Sequence, residues 1–307
     1  MPLAPDVERL LRMLAANDRT GPKGVGDVAE RRRMLLRLTQ MAGEAGPCAV
    51  EARDLQAPGP AEPIRLRVYS PPEASPAAVV YVHGGGWVAG GLETHDGLCR
   101  RLAASSRASF IAVDYRLAPE HRFPAALDDA LAAVCWTARH CEALDIDPGR
   151  LAVAGDSVGA GLAAAVAQSP RAPQLALQVL ICPILDVAGE SPSRRAFADG
   201  FFVDAATLAQ DVRDYWGGEP DLRDPRLSPL LASDLSRQPA ALIHAAEYDP
   251  FRDEAQTYAA RLARAGVAAQ FVLWPGMIHY FYALPRAIAG AAAAIDAIGA
   301  GIGRSLA

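Results

Sequence analysis

Gly155-Asp156-Ser157-Val158-Gly159 stands between an apolar run, Leu151 to Ala154, and an alanine-rich stretch from Ala160 to Gln168. This is the G-x-S-x-G pattern in the setting it requires, with a strand before it and a helix after it. The serine then sits on a sharp turn with its hydroxyl exposed, and the flanking glycines let the chain double back without a Cβ clash. Ser157 is therefore a candidate nucleophile. The alternative is a glycine-rich turn that happens to hold a serine, so the surrounding chain has to decide.

Working outward, Ala77 to Val82, Ser109 to Val113, Leu175 to Ile181, Ala240 to Ala246 and Gln270 to Trp274 are further short apolar runs, separated mostly by helix-length segments. Strands buried on both faces read this way, and their alternation with helices predicts a mostly parallel, twisted sheet flanked by helices. Right-handed crossovers put the functional loops at the carboxyl ends of the strands. Ile64, Leu66 and Val68 alternate with Arg65, Arg67 and Tyr69, which predicts a half-exposed antiparallel strand near one edge. Val7, Leu10, Leu11 and Leu14, then Met34, Leu35, Leu38 and Met41 beyond Gly21-Pro22, predict two amphipathic helices. From about 188 to 238 the chain is rich in Pro, Gly, Asp and Arg, with Phe197, Phe201, Phe202, Tyr215 and Trp216 among them, and reads as an inserted helical segment rather than a bare loop. The expected organisation is N-terminal cap helices over 1–45, a core over 46–187 and 239–307, and an inserted cap segment over 188–238.

The 307 residues are 51% hydrophobic and 21% charged, with net charge -5, which excludes nucleic acid and anionic membrane as expected partners and favours a neutral small molecule. Five scattered cysteines with no C-x-x-C pair argue against a disulfide framework and a zinc site. They are expected to be reduced and mostly buried. Acidic residues interrupt the N-terminal leucines, and no run of eighteen apolar residues occurs, so no membrane insertion and a cytoplasmic location are expected.

A serine hydroxyl needs a base to take its proton and a third group to orient that base. Of six histidines, His279 follows a strand and a tight turn, where a loop can bring an imidazole over Ser157. His244 falls mid-strand, His140 in a helix, and His95 and His121 upstream of the serine. Asp249, before a proline that ends the preceding strand, is placed to hold His279. Asp186 is its rival, and Asp253 is expected to support the following helix. Ser157, Asp249, His279 is the chain order of α/β-hydrolases. His83-Gly84-Gly85-Gly86-Trp87 follows a strand directly, and its glycines let backbone N–H groups point at a substrate oxygen, together with the N–H of Val158. Gly159-Ala-Gly161-Leu-Ala-Ala164 imitates a dinucleotide fingerprint, but it is displaced from the strand end, and no acidic residue follows at about 20 residues.

These residues resemble the hormone-sensitive-lipase-like branch (bacterial family IV) of α/β-hydrolase carboxylesterases over roughly residues 60 to 282. The blocks that carry the resemblance are HGGGW (83–87), DYRLAPEHRFPAALDD (114–129), GDSVGA (155–160), DPFRDEA (249–255) and PGMIHYF (275–281). It implies an α/β-hydrolase fold with a helical cap, and a serine carboxylesterase acting on short to medium acyl esters through an acyl-enzyme. The implied triad is Ser157, Asp249 and His279, with oxyanion donors from Gly85, Gly86 and Val158. Gly84, His83 and Asp156 support it, with no metal and no organic cofactor. Deacetylase, amidase or lactonase activity on the same site is the nearer alternative, and a non-catalytic receptor the more distant one. A homodimer through a sheet edge fits the family analogy. Val158, Ala160 and Tyr280 depart from the usual GDSAGG and histidine-glycine patterns, which bears on pocket shape.

Overall fold

The chain folds as strands interleaved with helices, seen here in a computed structural model that describes residues 2–17, 27–218 and 221–307. The strands are β1 (Glu51–Ala57), β2 (Ile64–Ser70), β3 (Ala78–Val82), β4 (Ser109–Asp114), β5 (Leu151–Asp156), β6 (Leu177–Ile181), β7 (Ala240–Tyr248) and β8 (Ala269–Ile278). They form one sheet in the order β1-β2-β4-β3-β5-β6-β7-β8. β2 is antiparallel to β1 and β4, as its alternation predicts, and all later pairs are parallel.

The helices are α1 (Pro5–Asn17), α2 (Val28–Ala42), α3 (Leu92–Ser106), α4 (Ala125–Arg139), α5 (Val158–Gln168), α6 (Pro192–Ala196), α7 (Ala205–Trp216), α8 (Arg252–Arg264) and α9 (Ala289–Ser305). The Gly21-Pro22 break expected between the first two helices lies outside the described residues. Apolar side chains of α4, α5 and α8 cover one face of the sheet. Those of α3 and α9, with Val7 and Leu10 of α1, cover the other. Almost every residue of α5 is buried, which its alanines and glycines make possible: a Cβ on Gly159 would run into the carbonyls of Val82 and His83, and one on Gly161 into that of Ile184. The imitation fingerprint is thus a close-packing stripe between helix and sheet.

Two elements differ from the sequence expectation. β1, whose residues are mostly exposed, was not foreseen; it forms the outer edge beside β2. β8 is not buried on both faces but lies half-exposed at the opposite edge of the sheet, with Leu273 at 40% exposure. It also runs through Pro275 and Gly276 to Ile278, with a register irregularity against β7, so His279 follows a strand end directly.

The 188–238 stretch contains α6 and α7. Arg31 of α2 ion-pairs with Asp211 and Asp214 of α7, joining an N-terminal helix to this stretch. Trp87 lies flat on Tyr215 with ring centroids 4.8 Å apart, joining α7 to the glycine loop. The later part, including Leu227, Ala232 and Leu235, packs into the apolar core beside α5 and α8. Cys99, Cys141 and Cys182 are buried, Cys48 is exposed, and all five cysteines are free. Among the described residues no helix is long and apolar enough to cross a membrane.

Candidate active site

Ser157 occupies the turn between β5 and α5 with φ 54° and ψ −124°, a conformation costly for a residue with a Cβ. The turn closes tightly because a Cβ on Gly155 would meet the Gly159 backbone. The Ser157 N–H donates to Ile181 at the end of β6 (2.9 Å), and its carbonyl accepts from Gly161 and Ile184 (3.2 Å each). The bonds on both sides hold the strained residue in place.

Asp249 follows β7 and His279 follows β8, so adjacent strand ends deliver them to the same place. His279 Nε2 lies 2.9 Å from Ser157 Oγ, and Nδ1 lies 2.9 Å from Asp249 Oδ2. Asp249 is fully buried, and its Oδ1 accepts the Phe251 N–H at 2.8 Å. His279 is 2% exposed and Ser157 8%; the Phe251 ring stands edge-on to the imidazole at 5.2 Å. Asp186 makes no bond to His279, and its carboxylate accepts from Ala188 N at 3.2 Å. Asp253 does not simply support its own helix: its Oδ2 accepts the Ser193 N–H at 2.8 Å and ties α6 to the chain just after Asp249.

The glycine loop follows β3. Gly85 and Gly86 have φ of +125° and +66°, open to glycine and strained for anything else. A Cβ on Gly84 would meet the Asp156 carboxylate, and one on Gly86 the carboxylate of Asp211. Among the described residues, the N–H groups of Gly85, Gly86 and Val158 donate to no protein acceptor, whereas Gly84 N–H donates to Asp156 Oδ1 at 2.9 Å. His83 braces the loop: its Nδ1 lies 2.8 Å from the Gly84 carbonyl, its ring stacks on Tyr115 at 4.2 Å, and the Tyr115 hydroxyl donates to the His83 carbonyl at 2.9 Å. Burial, with His95 nearby, pushes the His83 imidazole down to about 3. The neighbouring 114–129 block holds its own turn by two hydrogen bonds that the Arg116 guanidinium donates to the Asp129 carboxylate (2.7 and 2.8 Å).

Around the triad, further buried groups complete the site. Asp156 is fully buried; burial opposes its charge, but His95 and the hydroxyls of Tyr81 and Tyr282 outweigh that and hold its carboxyl at about 2. The Cys182 thiol, pushed well up by burial, has its sulfur within 4.8 Å of the ligand atoms of Asp249 and His279. In that trio Nδ1 and Oδ2 are already joined by their hydrogen bond. Tyr280 adopts φ 67° where glycine is easier, and its buried ring stacks on Phe202 of the insertion at 5.4 Å. A separate cleft of about 290 Å³, lined by Thr39, Glu93, Asp96, Tyr282 and Arg286, does not include Ser157 or His279.

The chain as a whole is similar to known proteins. Residues 79–283 match the family model described as alpha/beta hydrolase fold. An ethyl acetate hydrolase of Pseudomonas putida is 40% identical over 295 residues, 92% of each chain. Esterase LipI of Mycobacterium tuberculosis is 41% identical over 76% of this chain and 77% of its own. An alpha/beta hydrolase enzyme from the metagenome of Lake Arreo superposes with TM-score 0.94 at 40% identity, covering 98% of both chains. A hyperthermophilic esterase of Pyrobaculum calidifontis does so with TM-score 0.92 at 39%, covering all of both. Similarity over nearly the whole length of such relatives means that this chain belongs to the alpha/beta hydrolase fold family, in its hormone-sensitive-lipase-like branch of ester hydrolases.

Proposed function

We propose that the protein is a serine carboxylesterase that hydrolyses short to medium acyl esters through an acyl-enzyme. The observation that carries this reading is the imidazole of His279 standing 2.9 Å from both Ser157 Oγ and Asp249 Oδ2. Ser157 gives its proton to Nε2 as Oγ attacks the ester carbonyl, and Asp249 keeps Nδ1–H directed at itself and stabilises the charged ring. The carbonyl oxygen, now negative, takes the free N–H groups of Gly85, Gly86 and Val158. His279 then returns the proton to the departing alkoxide, and a water repeats the sequence on the acyl group. No cofactor enters any step. The contacts of α2 with α7, and of α7 with Trp87, support a cap over this site, and the Pseudomonas putida relative's name supports a short acyl group.

The test is kcat/KM on p-nitrophenyl esters from acetate to dodecanoate, beside an anilide and a lactone. The expected result is a maximum among the shorter chains, lost by on the order of 10³-fold or more in Ser157→Ala. A serine-to-alanine variant that still turns over esters normally ends the proposal. A maximum on the anilide or the lactone reassigns the leaving group.

A further inference from the structure

We propose that His95 is a positioning residue for ester hydrolysis, acting through Asp156 to hold the glycine loop against the turn that carries Ser157. The inference rests on the serine-esterase reading above. Asp156 Oδ1 accepts the Tyr81 hydroxyl at 2.7 Å and the Gly84 N–H at 2.9 Å, and Oδ2 accepts the Tyr282 hydroxyl at 3.0 Å. His95 Nε2 lies between the two oxygens, 3.3 Å from Oδ1 and 3.4 Å from Oδ2. One carboxylate therefore joins the loop, through Gly84, to the serine turn, of which it is part, and to the segment after His279, through Tyr282.

A carboxylate kept wholly out of water needs its lone pairs filled and its charge answered. Of the four donors, His95 is the one that also reaches the entry of α3, through its other ring nitrogen. Its Nδ1 is 2.8 Å from Thr94 Oγ1, which is itself bonded to the Gly91 N–H (3.0 Å) and carbonyl (2.9 Å) where the loop enters α3. Tyr81, His83 and Tyr280 enclose it, with ring centroids 5.4 to 6.3 Å away. His95 is 1% exposed and contacts neither Ser157 nor His279 by any hydrogen bond, so its influence passes through Asp156. A shift of that carboxylate moves Gly85 and Gly86 relative to Val158, and oxyanion donors misplaced by fractions of an ångström lose most of their effect. The loss then falls on kcat rather than KM, since the donors act on charge that appears only in the transition state.

Three variants separate this role from mere packing. His95→Gln puts an amide N–H where Nε2 stands and keeps the bond to Asp156. His95→Asn puts it where Nδ1 stands, facing Thr94 but short of Asp156, and His95→Leu removes both. With p-nitrophenyl acetate, and sites counted by titration with diethyl p-nitrophenyl phosphate, kcat is expected to fall about 10²-fold in the Asn and Leu variants with KM within about threefold, and to stay within about tenfold of wild type in Gln. Affinity for a trifluoromethyl ketone should fall in step with kcat/KM. Equal kcat in the Gln and Asn variants, or an Asn variant that loses thermal stability but keeps its kcat, overturns the proposal. Should the Leu variant not fold, the Gln and Asn pair decides alone. Ser157→Ala is assayed alongside. If it keeps turnover the esterase reading fails, and if it is dead while the His95 series is flat only this inference falls.

Discussion

His244 is the point at which acid should undo this fold, and its variant His244→Phe tests that. The side chain lies mid-way along β7, stacked on Trp274 with centroids 6.0 Å apart, and among the described residues neither ring nitrogen has a hydrogen-bond partner. Burial pushes its imidazole down to about 4 from an ordinary 6.5. The native state therefore holds the ring neutral while the unfolded chain protonates it as pH drops below about 6.5. The contribution is fully present above that pH, is lost on the way down to about 4, and is constant below. At pH about 4.5 the difference is two pH units at 1.36 kcal/mol each, roughly 2.7 kcal/mol, or about 4 °C in Tm for a chain of this size. Phe keeps an aromatic ring against Trp274 and has no nitrogen to protonate or to leave unbonded, so it should at least match wild type at pH 8. The assay is Tm from pH 8 to 4.5, read as the difference between variant and wild type, so that the acid lability of His83, shared by both, cancels. The gap should open below pH 6.5. A constant offset over the whole range would refute the reasoning, and His244→Leu, smaller than Phe, reads the same slope if the larger ring strains the core. The consequence reaches the active site because Asp249 follows β7 directly and the His244 carbonyl holds the Cys182 N–H at 2.7 Å.

Asp249→Asn should lower kcat by about 10³- to 10⁴-fold, since an amide no longer selects the Nδ1–H tautomer, whereas Asp186→Asn and Asp253→Asn should stay within about tenfold; steady-state kinetics on p-nitrophenyl acetate ranks the three. Gly86→Ala should cost on the order of 10² in kcat with KM little changed, because the added Cβ meets the Asp211 carboxylate and φ of +66° resists a side chain. Normal kcat in that variant would remove Gly86 from the oxyanion donors.

What the sequence made legible were features whose physics is local. The elbow needs glycines at 155 and 159 because the chain folds back on itself within five residues, and continuous apolar runs report strands that helices cover. Chain order then picked out Asp249 and His279 at neighbouring strand ends. β1 was not legible because an outermost strand faces water: Glu51, Arg53, Asp54 and Gln56 show no apolar alternation. β8 misled for a related reason, since an apolar run reports composition and not position in the sheet, and an edge strand covered on one flank can look like a central one. The Asp156 network lies further from reach, for Tyr81, Gly84, His95 and Tyr282 meet it across tertiary contacts that no spacing encodes. One signal was present all the same. An aspartate placed directly before the serine, in a turn whose glycines exclude solvent, has to be buried, and a buried carboxylate obliges the rest of the chain to supply donors. Three of the four found here are aromatic or imidazole side chains in the segments that also bear the glycine loop and His279. The requirement to satisfy one charge thus accounts for why those segments carry such residues, and it joins the folding of this core to the alignment of its reacting groups.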